Sequence, residues 1–243
     1  MRCLIWQNLD VANFLLCNSA PFRNPGSKPS TCSRGNAMTD RQFTEDKLVI
    51  ATHNVGKMQE IERLFAGFDF TILSATQLGL VEPKETENSF IGNAILKARA
   101  TALSTGMAAL GDDSGLSVAA LDGAPGIYSA RWAGPNRDFD IAIRAVREAL
   151  LKTQSDDMGA EFICALALVW PDGHAVAVEG KIRGILKFPA SGTRGFGYDP
   201  IFQPDGYNIS FGEMDPDAKH AISHRANAFA QLISRCFILK NDG

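Results

Sequence analysis

No apolar run in these 243 residues reaches the roughly 18 that a membrane-spanning helix needs. An excess of basic charge is missing too: 24 Lys and Arg stand against 27 Asp and Glu, a formal net charge of -3. Binding to nucleic acid through bulk electrostatics is therefore not expected. Any phosphate recognition must rest on a few placed cations and on backbone amides. Metal-binding cysteine pairs are also lacking. The five cysteines are Cys3, Cys17, Cys32, Cys164 and Cys236, with no CxxC pair and no Cys/His zinc spacing. That excludes a zinc knot or a disulfide framework and fits a reduced, cytoplasmic compartment. Cys164 falls in an apolar strand pattern and reads as a small buried hydrophobe. What the chain does have is 45% apolar residues, enough at this length for a substantial core.

Residues 1–37 read differently from the rest. They hold three of the five cysteines, one acidic residue (Asp10), and Pro21, Pro25, Gly26, Pro29 and Gly35 in quick succession. The apolar stretch from Leu4 to Leu16 is broken by Asn8, Asp10 and Asn13, unlike a secretory signal. The scarcity of acid leaves another kind of targeting peptide open. The simpler expectation is an unstructured extension over residues 1–45, with Met38 as the better start, followed by one working domain over residues 46–243.

From Lys47 the pattern is globular. Lys47–Thr52 and Thr71–Leu73 are β-rich, and Met58, Ile61, Leu64 and Phe65 recur at helical spacing between them. Ile91, Ile95, Ala98 and Ala102 share a helical face that Gly106 should close. Met107–Leu110 reads as a buried strand running into an acidic turn, Phe139–Leu151 as a helix and Phe162–Trp170 as a strand. Pro171-Asp172-Gly173 should fold Ala175–Ile182 back as an antiparallel partner. A last helix is expected over Ala226–Phe237. Strands alternating with helices, plus one hairpin, predict an α/β protein with a mixed central β-sheet and flanking helices.

Four segments carry chemistry. Thr52-His53-Asn54-Val55-Gly56-Lys57 joins a strand to a helix and offers amides, a hydroxyl and a lysine to an anion. It is not a Walker loop, because Ala51 and Met58 occupy positions that motif reserves for glycine and Ser or Thr. Gly111-Asp112-Asp113-Ser114-Gly115 sets two adjacent carboxylates at the expected strand end. Their repulsion calls for donors or a hard cation such as Mg²⁺. In Gly195-Phe196-Gly197-Tyr198-Asp199-Pro200 the rings either plug the core or hold a flat ligand. Lys219 with Ile222-Ser223-His224-Arg225 precedes the last helix, where cations oppose the helix dipole and suit an anion or a base oxygen better. His174 and His220 are expected at the surface.

Taken in order, these motifs resemble the inosine triphosphate pyrophosphatase family. The resemblance runs from Lys47 to about Leu239 and includes ETENSF-IGNAILKA, GDDSGLSVAALDGAPGIYSARWAG and GFGYDPIFQPDG. It implies two lobes enclosing a nucleotide cleft, a homodimer, and Mg²⁺-dependent hydrolysis of ITP, dITP or XTP to the monophosphate and diphosphate. By the same resemblance, Thr52, His53, Asn54, Val55, Gly56 and Lys57 cradle the phosphates and Lys97 reaches them. Asp113 is the catalytic carboxylate, with Ser114 beside it, and holds the metal with Glu85. Phe196, Gly197, Tyr198 and Asp199 embrace the base, Lys219 meets phosphate, and His224 and Arg225 face the purine edge. Two departures stand out. Glu87 and His53 occupy positions where relatives commonly carry glycine, so either Glu85 or Glu87 suits the second metal ligand.

An arginine donor at the purine 6-position favours the oxygen of inosine or xanthosine over the amino group of adenine by about 1–3 kcal/mol. Asp112 and Asp113 share the roles of metal binding and water activation in an order the sequence does not set. The competing readings are a septum-associated nucleotide pyrophosphatase and a nucleotide-binding module without catalysis. The ISHRA signature argues against the first and the acidic pair against the second.

Overall fold

The computed structural model describes residues 41–237. The readings placed on residues 1–40 and on the chain end past 237 lie outside them. Residues 41–45, which precede the expected start at residue 46, are tied to the rest of the described residues. Three contacts explain this. Arg41 pairs with Asp172 at 2.6 Å, Phe43 donates its amide to the Cys236 carbonyl at 2.7 Å, and Glu45 accepts from the Trp170 indole at 2.7 Å.

Six strands form one sheet in the order β2-β1-β3-β4-β5-β6. They are β1 (Lys47–Ala51), β2 (Thr71–Ser74), β3 (Ala109–Val118), β4 (Gly159–Val169), β5 (Ala175–Leu186) and β6 (Phe202–Pro204). β1 runs parallel to β2 and β3, and β3 to β6 alternate antiparallel. The helices are α1 (Val55–Leu64), α2 (Phe90–Thr105), α3 (Ser129–Trp132), α4 (Phe139–Thr153), α5 (Pro216–Ile222) and α6 (His224–Cys236). The mixed-sheet α/β expectation holds, and Gly106 closes α2 in the left-handed region as its position suggested.

One expectation fails in a way that matters. The Gly-Asp-Asp-Ser-Gly segment is not a turn at a strand end but the middle of β3, with Asp112 opposite Leu166 and Asp113 opposite Ala165 on β4. Glycine and aspartate have little strand preference of their own. Pairing along the whole of β4 imposes it. The strand that ends here is β1, whose last residue Ala51 lies opposite Gly111. Past that point β3 lacks β1 as a neighbour, and this open edge faces the cleft.

Side chains alternate across the sheet. Leu48, Ile50, Leu110, Leu166 and Leu168 pack with Ile61 of α1 and with Leu232 and Ile233 of α6. Val49, Ala109, Ala165 and Ala167 meet Ala94, Ala98 and Ala102 of α2 on the other face. These layers make one lobe. A third cluster, built on Leu116, Val118, Phe162, Phe202 and Phe211 with Val146 and Leu150 of α4, makes the second. The long strands β3, β4 and β5 run through both.

Candidate active site

A cleft of ≈ 710 Å³ opens between the lobes, within the range of small-molecule sites. Thr52, Asn54, Lys57, Glu85, Lys97, Asp113 and Ser114 line one side, and Phe139, Phe162, Phe196, Tyr198 and His224 line the other.

Strand alternation decides the fate of the two aspartates. They are sequence neighbours, so they point to opposite faces of β3 and do not repel each other side by side. Asp112 is 1% exposed and faces α1 and α6. Its Oδ1 pairs with Lys57 Nζ at 2.7 Å and accepts the Ser114 hydroxyl at 2.9 Å. Its Oδ2 accepts Arg225 Nε at 2.7 Å and the Cys164 thiol at 3.3 Å. Burial works against its charge, but Arg225 and Lys57 outweigh it and hold the carboxyl well below its usual range. Burial, reinforced by Asp112, pushes the Cys164 thiol up, so this buried residue is also a donor. Asp112 is the anchor of a buried ion network, and it does not line the cleft.

Asp113 faces α2 and does line the cleft. Lys97 Nζ reaches its Oδ1 at 2.9 Å and Glu85 Oε1 at 2.7 Å, so one ammonium joins both carboxylates. Burial raises Asp113 above the usual carboxylate value against the pull of Lys97 and Lys57, and Glu85 adds to the rise. Burial opposes the charge of Glu85 as well, yet Lys97 brings it below its usual value. The pair is thus short of positive charge. Glu85 and Asp113 thus set two carboxylates beside Lys97 on the cleft wall. Of the two candidates for second ligand, Glu85 lines the cleft and Glu87 does not.

This geometry depends on a close approach. A Cβ on Gly111 would stand 2.1 Å from the Ala94 carbonyl oxygen, so glycine is what lets α2 lie against β3. Lys97 then comes over Asp113, and so does a residue missed by the sequence reading, Asn93. Its signal was a polar side chain one turn before Lys97 on a buried helix face.

The first turn is arranged differently from a simple phosphate cradle. Asn54 caps α1, its side chain accepting from Lys57 N at 3.0 Å. Val55 is exposed, and His53 Nε2 contacts the Leu80 carbonyl at 2.8 Å, tying the turn to the segment that carries Glu85. Gly56 lies beneath the Phe196 ring, which a Cβ would meet at 2.7 Å.

The aromatic segment serves the core and the cleft together. Tyr198 is buried and donates to the Ser129 carbonyl at 2.9 Å, and it also lines the cleft. Phe196 is half-buried in the cleft wall. Asp199 is buried and accepts from the Phe196 amide at 2.8 Å and from Lys219 Nζ at 2.6 Å. Burial raises its carboxyl despite Lys219. Lys219 also reaches Glu60 at 3.0 Å and lies 4.9 Å from the Phe196 ring. This ammonium, which also lines the cleft, braces the aromatic loop.

Arg225 also lines the cleft and is held by buried partners. It is 1% exposed, with Nε on Asp112, one terminal nitrogen on Glu60 and the other on Ser114. Glu60, unnoticed in the sequence, thus joins Arg225 to Lys219. His224 stands at the cleft with its ring nearly parallel to Phe162 at 4.9 Å. Burial, helped by Arg225, pushes its imidazole well below the usual value, and Nδ1 has no hydrogen-bond partner among the described residues. His174 and His220 are half-buried, and His174 packs edge-on against Trp170.

Residues 48–235 match the model of the Ham1 family. The chain is 61% identical over 191 residues to the dITP/XTP pyrophosphatase of Caulobacter vibrioides, covering 79% of this chain and 98% of that one. Against the dITP/XTP pyrophosphatase of Rhodospirillum centenum the identity is 59% over 199 residues, 81% of this chain and 98% of the other. Among solved structures, a HAM1 protein from Coxiella burnetii superposes with a TM-score of 0.72 at 37% identity, over 77% of this chain and 96% of that one.

Proposed function

The chain belongs to the Ham1 family, and from that membership we propose that it hydrolyses deaminated purine nucleoside triphosphates (ITP, dITP and XTP) to the monophosphate and diphosphate. One observation carries the chemistry: Glu85, Lys97 and Asp113 form a connected acid-base-acid group on the cleft wall facing Phe196 and His224. An anionic tail and a flat base are suited to these two sides.

Glu85 and Asp113 would hold magnesium, which when bound supplies neutralising charge to the triphosphate. Lys97 and Lys57 stabilise charge on the leaving diphosphate, and the amides at the start of α1 add a positive dipole end. Asp113 orients the attacking water toward the α-phosphorus and takes its proton. Asp113 lines the cleft and is within reach of such a water, whereas Asp112 does not line it. Phe196 and the stacked Phe162–His224 pair flank the base. A neutral His224 donates to the oxygen at the purine 6-position, and Arg225 supports it from behind. An adenine amino group in that place faces a donor, a mismatch of about 1–3 kcal/mol. We also propose, on the family resemblance, a homodimer working in the cytoplasm.

The test is turnover of ITP, dITP, XTP, GTP and ATP by the purified protein with magnesium, with the phosphate product identified. Diphosphate release with the deaminated purines well ahead of ATP is expected. Equal rates on ITP and ATP would remove the selectivity, and orthophosphate as the product would remove the pyrophosphatase reading.

A further inference from the structure

Asn93 plays no part in the reading above, yet its side chain touches both halves of the acidic site. It is 0% exposed, on the face of α2 that meets β3. Its Oδ1 accepts the Glu87 amide at 3.1 Å, and its Nδ2 donates to Asp113 Oδ2 at 3.2 Å. The two partners leave the amide no freedom to flip, because a backbone N–H only donates and the carboxylate oxygen accepts. With Lys97 on Oδ1 at 2.9 Å, two residues one turn apart on the same helix hold both oxygens of Asp113.

The other end of this bridge is the segment carrying Glu85. Residues 80–87 form neither helix nor strand. They are tied at Leu80 by His53, at Glu82 by Arg137 (2.8 Å) and at the Glu85 carbonyl by Arg131 (3.1 Å). The Arg131 and Arg137 contacts are exposed, whereas Asn93 is buried and its contact continues directly to Asp113.

We propose that Asn93 is a positioning residue for hydrolysis: its amide, alongside the Lys97 ammonium, sets the spacing between the Glu85 segment and Asp113, so that both carboxylates meet one divalent cation. The inference rests on the pyrophosphatase reading of this cleft. Leucine at 93 would fill the same space but leave a buried N–H and a carboxylate oxygen unpartnered. Aspartate would keep the Glu87 contact and set a carboxylate against Asp113.

The test uses the full chain with Asn93→Leu and Asn93→Asp. Three quantities are measured: kcat and KM for ITP, Mn²⁺ affinity in the presence of a non-hydrolysable ITP analogue, and the thermal midpoint. Both Mn²⁺ affinity and kcat should fall roughly 10–100-fold, with KM for ITP little changed. A folded Asn93→Leu protein with native Mn²⁺ affinity and kcat overturns the proposal, since space-filling alone then suffices. Should neither variant fold, hydrogen exchange at the Glu87 amide decides it in Asp113→Ala. Faster exchange than in the native protein supports the bridge, and unchanged exchange overturns it. A native protein that releases no diphosphate overturns the functional reading instead, a separate outcome.

Discussion

Asp112 and Asp113 are identical residues one position apart, and strand geometry gives them opposite work. Asp113 lies in the cleft with Lys97 and Glu85, and Asp112 sits beneath it with Lys57, Arg225, Ser114 and Cys164. Substitution should separate them. Asp113→Asn should keep the fold and lose turnover by about 10²–10⁴-fold, the usual contribution of a general base. Near-normal turnover would sink the scheme. Asp112→Asn leaves Lys57 and Arg225 short of a buried counter-charge, and breaking such a pair costs roughly 3–5 kcal/mol. Its thermal midpoint should fall clearly below that of Asp113→Asn, read by calorimetry on both proteins. The motif announced an acidic centre. It did not reveal which aspartate was accessible, because that follows from a strand parity set by β4.

At the level of elements, the site exists because two of them end or approach unusually. β1 stops at Ala51, which frees the edge of β3 beyond Gly111. α2 then lies close enough to β3 for Asn93 and Lys97 to reach Asp113, and Gly111 permits it. Gly111→Ala should push α2 outward. Overpacking of this kind costs about 1–3 kcal/mol. Here the loss should extend to activity, since both contacts to Asp113 move with the helix. Denaturant unfolding and kcat together check it: a variant destabilised but fully active would separate the helix approach from the chemistry. Helix limits were readable from periodicity and from the Gly106 stop. The close approach was not, because a glycine inside a strand has several explanations until its neighbour is known.

For the whole molecule, the buried charges link the lobes and make folding sensitive to acid. Burial opposes ionisation of Glu60, but Arg225 and Lys219 bring its carboxyl from 4.5 down to about 2. A group depressed on folding stabilises the protein fully above its unfolded value and loses that contribution as pH falls toward the folded value. Glu60 should therefore supply roughly 3 kcal/mol that disappears between about pH 4.5 and 2. Asp112 acts in the same sense below its ordinary value of 3.8. His224 is buried and its imidazole lies below the ordinary value of 6.5, so its neutral form adds stability above that pH and less as acid is added. Thermal midpoints should be level above neutrality, decline below about pH 6.5 and drop steeply under pH 4.5. Glu60→Gln should flatten the lower part of that curve. A native curve without a loss below pH 4.5 would remove Glu60 from the account.

The sequence by itself determined the family, the order of the five longer strands and four longer helices, and most side chains that meet in the cleft. Those features are local: periodicity, caps, turns and motifs carry their meaning within a few residues. Tertiary structure decided how the residues divide their work. Tyr198 is anchored on Ser129, Lys219 and Arg225 are held at the cleft by buried acids, and Glu60 and Asn93 entered the site. Each outcome depends on a partner 20 or more positions away, from Asn93 and Asp113 to Glu60 and Arg225 at 165. A charged side chain takes its role from whichever opposite charge is buried beside it, and chain order alone does not specify that neighbour.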